Sequence, residues 1–138
     1  MTPWVAAALA EAPVGRLATS GPDGAVHLVP ICFSIVGDHL VSAVDHKPKR
    51  TSRLQRLADI ERTGTASVLV DHYEDDWTQL WWIRISGVAA VEPVGSSQDA
   101  AARAALVAKY AQYASRPPAG PVYTVRLDAL TAWRAAGE

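Results

Sequence analysis

The chain of 138 residues has a single cysteine, Cys32, so no internal disulfide can staple it. That usage suits a reducing compartment, and the expected location is the cytoplasm. Long hydrophobic runs are missing too: no stretch approaches the roughly 18 apolar residues that a spanning helix needs. The N-terminal MTPWVAAALAEAP has no basic region and is interrupted by Glu11, so it does not read as a signal peptide. Neither sign of charge dominates. A net charge of −1 and a sequence pI near 6.4 argue against a general nucleic-acid binder, whose domains are strongly basic. No Gly-x-Gly-x-x-Gly, P-loop or Gly-x-Ser-x-Gly occurs. Asp45-His46 and Asp71-His72 lack the spacing of a zinc module, and His46 sits among cations that would oppose a metal, so no metal ligand is assigned.

What is present is the composition of an ordinary globular protein, 49% hydrophobic and 20% charged. At this length one domain over residues 1–138 is expected, burying roughly 68% of its unfolded surface.

The turn chemistry divides the chain. Thr2-Pro3 reads as an N-cap followed by proline at the first helical position, opening a short helix to about Glu11 that Pro13 stops. Val14–Ser20 reads as a strand, and Gly21-Pro-Asp-Gly24 as a turn. Ala25–Val36, AVHLVPICFSIV, reads as one long apolar strand, Gly37-Asp38 as a two-residue hairpin turn, and His39–Val44 as the returning strand. The three strands should form an antiparallel meander. The second is apolar on both faces, which points to a barrel interior on one side and a subunit interface on the other. Pro30 within it donates no ladder hydrogen bond and marks an edge, a bulge or a ligand beside the backbone. Thr51–Arg62 should be helical, with Leu54, Leu57 and Ala58 facing the core. Thr65–Asp71 and Leu80–Val91 read as strands, with Gly87 as a bulge. A helix from about Gln98 to Ala114 and a last strand at Val122–Leu127 complete the pattern. Six mostly antiparallel strands with three helices make a small closed or split β-barrel the expected architecture.

The stretch Ser42–Arg56, SAVDHKPKRTSRLQR, carries the main functional signal. Lys47, Lys49, Arg50, Arg53 and Arg56 put five cations where a strand gives way to a helix. A helix N-terminus repels cations through its own dipole, and an anion between the cations and the free helical N–H groups removes the conflict. Thr51 and Ser52 add hydroxyl donors. A solvated basic face is the simpler alternative. Trp81 and Trp82 must point to opposite faces of their strand, so one can enter a core while the other meets an interface or a planar ligand. Cys32, inside the apolar strand, reads as a small buried hydrophobe.

RLATSGPDGAVHLVPICFSIVGDHLVSAVDHKPKRTSRLQRL, followed by TASVLVDHYEDDWTQLWWIRISGVA, resembles the pyridoxamine 5′-phosphate oxidase-like flavoproteins. Within them the chain is similar to the branch from actinobacteria that uses the deazaflavin coenzyme F420. The resemblance spans about residues 14–134. It implies an FMN-binding split barrel and a homodimer with two cofactor sites at the subunit interface. It also implies a phosphate grip at Lys47, Lys49, Arg50, Thr51 and Arg53. The backbone of Val29, Pro30, Ile31 and Cys32 would edge the tricyclic ring, with Ser42 and Ala43 on the neighbouring strand. Trp82 and Trp77 would close the site from the partner subunit. The oxidases that make pyridoxal phosphate carry further substrate-phosphate residues near their C-terminus. TAWRAAGE shows no comparable basic set, which points away from vitamin B6 oxidation.

The expected function is therefore an oxidoreductase that passes a hydride between F420 and a small unsaturated organic substrate. The alternatives are an FMN-dependent oxidase or reductase of the same fold, or a non-catalytic F420- or flavin-binding protein. The cofactor would carry the chemistry, so no catalytic side chain is assigned.

Overall fold

A computed structural model describes residues 1–45 and 54–136 of the chain. Thr2 precedes α1 (Pro3–Glu11), which has proline in its first turn. Next come β1 (Gly15–Ser20), a tight turn at 22–24, β2 (Val26–Ile31), β3 (Ser34–Val36) and β4 (His39–Ala43). Helix α2 (Gln55–Thr63) ends on Gly64, whose φ of 70° lets its N–H reach back to the Ile60 carbonyl at 2.7 Å. Strands β5 (Thr65–His72) and β6 (Trp81–Val91), helices α3 (Ser97–Lys109) and α4 (Ala111–Ser115), and strands β7 (Val122–Arg126) and β8 (Ala129–Arg134) complete the order.

All the strand pairings are antiparallel, in the order β2-β1-β5-β6-β7-β4-β3. The two end strands, β2 and β3, are consecutive in the chain and joined by Cys32 and Phe33 alone. The sheet thus curls into a barrel closed by the chain itself at that point. Strand β8 pairs with β6 alongside β7: β6 gives Trp81–Ser86 to β8 and Ala89–Val91 to β7.

Alternation places Leu17, Val68, Val70, Ile83, Ile85 and Val125 inside the barrel, all at most 1% exposed. Val5 and Leu9 of α1, and Leu57 and Ile60 of α2, pack on this core. Each such side chain contributes about 1.5–3 kcal/mol by leaving water. A second cluster forms where α3 lays Ala102 and Leu106 on Val41, Ala43 and Val122.

Several expectations are corrected. The apolar run 25–36 is two strands, because the chain turns out of the β1 ladder after Ile31 and enters the β4 ladder at Ser34. That split, and β8 in a tail given no element, make eight strands among the described residues in place of six. Within one chain β4 is also buried on both faces, between barrel and α3, while the outward side chains of β2 are uncovered, Val26 at 73% and Leu28 at 67%. Helix α2 begins at Gln55 rather than Thr51, because Leu54 has extended backbone. The Gln98–Ala114 helix breaks at Tyr110, whose φ/ψ of −111°/117° is not helical. Gly87 is no bulge: its register with Ala66 is continuous. It is glycine because a Cβ there would lie 2.0 Å from the Arg126 carbonyl oxygen, where β7 gives way to β8.

Candidate functional site

At the seam between β2 and β3 the backbone leaves the ladder, and side chains take over its hydrogen bonds. Ser42 Oγ donates to the Cys32 carbonyl at 2.6 Å. The Tyr110 hydroxyl accepts from Phe33 N–H at 2.9 Å and lies 2.9 and 3.1 Å from the carbonyls of Pro13 and Phe33. Burial pushes the Tyr110 phenol up to about 12, against the pull of the Phe33 N–H.

A cavity of about 310 Å³ opens beside this seam. Its walls are Pro30, Ile31 and Cys32 from β2 and its end, and Ser42, Ala43, Val44 and Asp45 from β4 and its continuation. Val14, Arg56 of α2 and Tyr113 of α4 complete it. The volume lies in the range of small-molecule sites.

Two features give the cavity its electrostatics. Arg56 stands in the first turn of α2, a helix with no side-chain cap at its N-terminus among the described residues. Its guanidinium reaches the Tyr123 hydroxyl at 3.5 Å and has no carboxylate partner among the described residues. Tyr123 is buried; burial raises its phenol, while bonds with Ser42 and Arg56 pull the other way. A guanidinium without a carboxylate partner at the start of a helix suits an anion. The second feature is an acceptor-rich corner. The Tyr113 hydroxyl donates to Asp45 Oδ1, and burial followed by that carboxylate pushes its ionisation far up, so the phenol stays protonated.

Asp45 is anchored from behind. Val44 N–H donates to Pro121 O, while Gly120 and Ala119 donate to the carbonyls of Val44 and Asp45 at 2.9 and 3.2 Å. Arg103 of α3 fixes that loop by donating to the carbonyls of Pro118 and Gly120 at 2.7 and 2.8 Å, with Asp99 as its ion-pair partner.

Of the residues expected at the site, Pro30, Ile31, Cys32, Ser42 and Ala43 are brought together on this cavity. Cys32 is half-buried and lines it, in place of the fully buried position expected. Val29 sits one residue away, paired with Leu17 and packed on the core. Lys47, Lys49, Arg50, Thr51 and Arg53 lie outside the described residues, but that segment leaves from Asp45 and returns by Leu54, two residues before Arg56. Trp77 and Trp82 do not line the cavity of their own chain. Trp77 is 76% exposed on a turn capped by Asp76, and Trp82 pairs across β6 and β8 with Trp133, with Arg84 5.5 Å from its ring centre.

Arg56 is the one cation of the five-residue cluster that the described residues place on the cavity, although the phosphate grip implied by the resemblance did not include it. Val14, Val44, Asp45 and Tyr113 were not singled out as site residues; Tyr113 carries no local signal, its partner Asp45 being 68 residues away. A second cavity, about 590 Å³, lies between α1 and β6, but the rings that line it, Trp4, His72 and Trp81, already pack on one another. No group of three or more metal-ligating side chains occurs among the described residues.

The sequence matches the pyridoxamine 5′-phosphate oxidase family model over residues 1–134. The chain belongs to that family. Solved structures agree on the fold. The conserved hypothetical protein Rv2991 from Mycobacterium tuberculosis superposes with a TM-score of 0.75 at 18% identity, over 98% of this chain and 86% of that one. A heme binding protein from Mycobacterium smegmatis gives 0.69 at 18% identity, over 98% of this chain and 60% of that one. A FAD-binding protein from Mesorhizobium loti gives 0.67 at 15% identity, over 96% of this chain and 92% of that one. No curated protein matches the sequence. No helix among the described residues is long and apolar enough to cross a membrane.

Proposed function

We propose that this member of the pyridoxamine 5′-phosphate oxidase family is an oxidoreductase that uses the deazaflavin F420 to reduce a small unsaturated organic molecule. The observation that carries the reading is Arg56, a cation without a carboxylate partner among the described residues, in the first turn of α2 and on the wall of the cavity. The residues present fit a flat group with an anionic tail. Arg56, the α2 N–H groups and the adjoining Lys47, Lys49, Arg50, Thr51 and Arg53 would take the phosphate. Pro30–Cys32 and Ser42–Ala43 would border the ring. Such a cofactor supplies hydride transfer, two electrons at a time. The protein's share is to bind and orient it and to keep water away.

The same reading has the site completed by a second copy of the chain. Pro30 lines the cavity and also lies on the open outer row with Val26 and Leu28. A protomer covering that row would roof the cavity, and Trp77 and Trp82 of the partner subunit are the aromatic side chains proposed to close it.

FMN is the alternative, since the clamp and the flat wall suit it equally, and a FAD-binding protein shares the fold. Fluorescence titration of the purified protein with F420, FMN and hemin tests the reading. Tight F420 binding, with turnover of enones or quinones, is expected. A preference for FMN moves the assignment to a flavin enzyme, binding without turnover to a carrier, and binding of hemin alone overturns it.

A further inference from the structure

Between α3 and β7 the chain runs as a short bridge that puts Tyr113 on the cavity wall. Its first end is fixed at Tyr110, where the helix breaks and the hydroxyl is held by Phe33 and Pro13. Its second end is fixed at Pro118 and Gly120, whose carbonyls accept from Arg103. Residues 111–117 between those anchors are exposed except Tyr113. Among the described residues the backbone bonds of this span reach only within it or back to Tyr110. It is fastened to the body of the protein, among the described residues, through Tyr113: the hydroxyl donates to Asp45 and lies beside Cys32, and the ring rests edge-on against Tyr110 and on the Val41, Ala43, Leu106 and Val122 cluster. Tyr113 and Asp45 both line the cavity.

A span pinned at both ends and fastened in the middle by one side chain opens at moderate cost, because what is lost is the packing and hydrogen bonding of Tyr113 alone. Opening would withdraw Tyr113, one wall of the cavity. We propose that residues 111–117 are a gate over the cavity, latched by the hydrogen bond from Tyr113 to Asp45, and that the latch sets how fast a flat cofactor enters and leaves. The cargo rests on the function proposed above; the gate itself does not. Because the same contact closes the gate with or without an occupant, breaking it should speed entry and exit together and leave affinity nearly unchanged.

Tyr113→Phe tests this, since it keeps the ring and removes the hydroxyl. In the ligand-free protein, amide hydrogen exchange at residues 112–116 should rise about three- to tenfold, the effect of one net hydrogen bond, with β5 and β6 unchanged. Asp45→Ala should reproduce that local rise. In stopped-flow mixing with F420 or FMN, association and dissociation constants should both rise about three- to tenfold, with Kd nearly constant. Unchanged exchange at 112–116 overturns the gate. So do unchanged rates, or a faster dissociation alone, which would make Tyr113 a ligand contact. If the wild-type protein binds neither probe, the cofactor reading falls and the exchange measurement still decides the gate.

Discussion

His27 Nδ1 donates to Asp59 Oδ2 at 2.6 Å, and this bond joins the β1–β2 hairpin to the helix that carries Arg56. Thr19, directly across the hairpin from His27, donates to the same oxygen at 2.7 Å, and Gln55 donates to the other at 2.8 Å. Asp59 is 1% exposed. Burial would raise its carboxyl, but the bonds from Gln55, His27 and Thr19 outweigh burial and hold it below the usual carboxylate range.

Asp59→Ala leaves Thr19 and His27 without their acceptor and should cost about 2–4 kcal/mol, read as a lower midpoint in urea. The lowered carboxyl also has a pH consequence. Its contribution is complete above the unfolded value near 3.8 and is lost as pH falls through the folded value. Asp59→Asn should therefore flatten the acid limb of the stability profile. An unchanged acid limb would show that other carboxylates set it.

Arg56→Gln should weaken F420 or FMN binding about ten- to a hundredfold, the loss of one charge-assisted bond, with little change in Tm. Lys49→Ala combined with Arg50→Ala should weaken it further. Equilibrium titration at fixed ionic strength checks both, and unchanged affinity would put the phosphate elsewhere.

Lys109 is half-buried over the Phe33 ring, its Nζ 3.8 Å from the ring centre, and donates to the Leu9 carbonyl at 3.0 Å. Burial lowers its pKa from 10.5 to about 8, with the Cys32 thiol opposing. Above about pH 8 the unfolded chain keeps a proton that the folded chain gives up, so stability should rise with pH toward 10. Tyr110 then reverses the trend, because the folded state holds its phenolic proton to about 12 while the unfolded chain loses it near 10. Thermal melts across this range should show a rise, then a fall, and Lys109→Met should remove the rise.

Leu28 is 67% exposed on the outer row of β2, so Leu28→Asp should leave the protomer folded. If a second copy covers that row, the substitution should convert a dimer to a monomer in light scattering and weaken cofactor binding with it. A monomeric wild-type protein at micromolar concentration would contradict the assembly.

Much of the fold can be read from local chemistry. Thr2-Pro3, Gly37-Asp38 and Gly64 mark ends that the structure places where turn and cap rules put them. The alternation of TASVLVDH shows directly as β5, with Ala66, Val68 and Val70 inward. The break at Cys32–Phe33 could not be read, because AVHLVPICFSIV is apolar throughout and the groups that fasten the break are Ser42 and Tyr110, 10 and 77 residues away. Strand β8, ALTAWR, has weak strand propensity and exists by pairing with β6. In the site, the β2 and β4 walls follow from one run of sequence, whereas Tyr113 reaches Asp45 only because Arg103 and Tyr110 fix both ends of its span.

The barrel behaves as a hoop with a buckle. Around most of its circumference, prising neighbours apart would break a whole row of ladder bonds. Between β2 and β3 the hoop is closed by Cys32 and Phe33 of the chain itself, whose backbone is held in place by the Ser42 and Tyr110 hydroxyls, so the two strands can shift there at the cost of a few side-chain hydrogen bonds. Pro30, Ile31 and Cys32 form one flank of that buckle and also one wall of the cavity. An occupant of the cavity would therefore press directly on the one place where the ladder is interrupted.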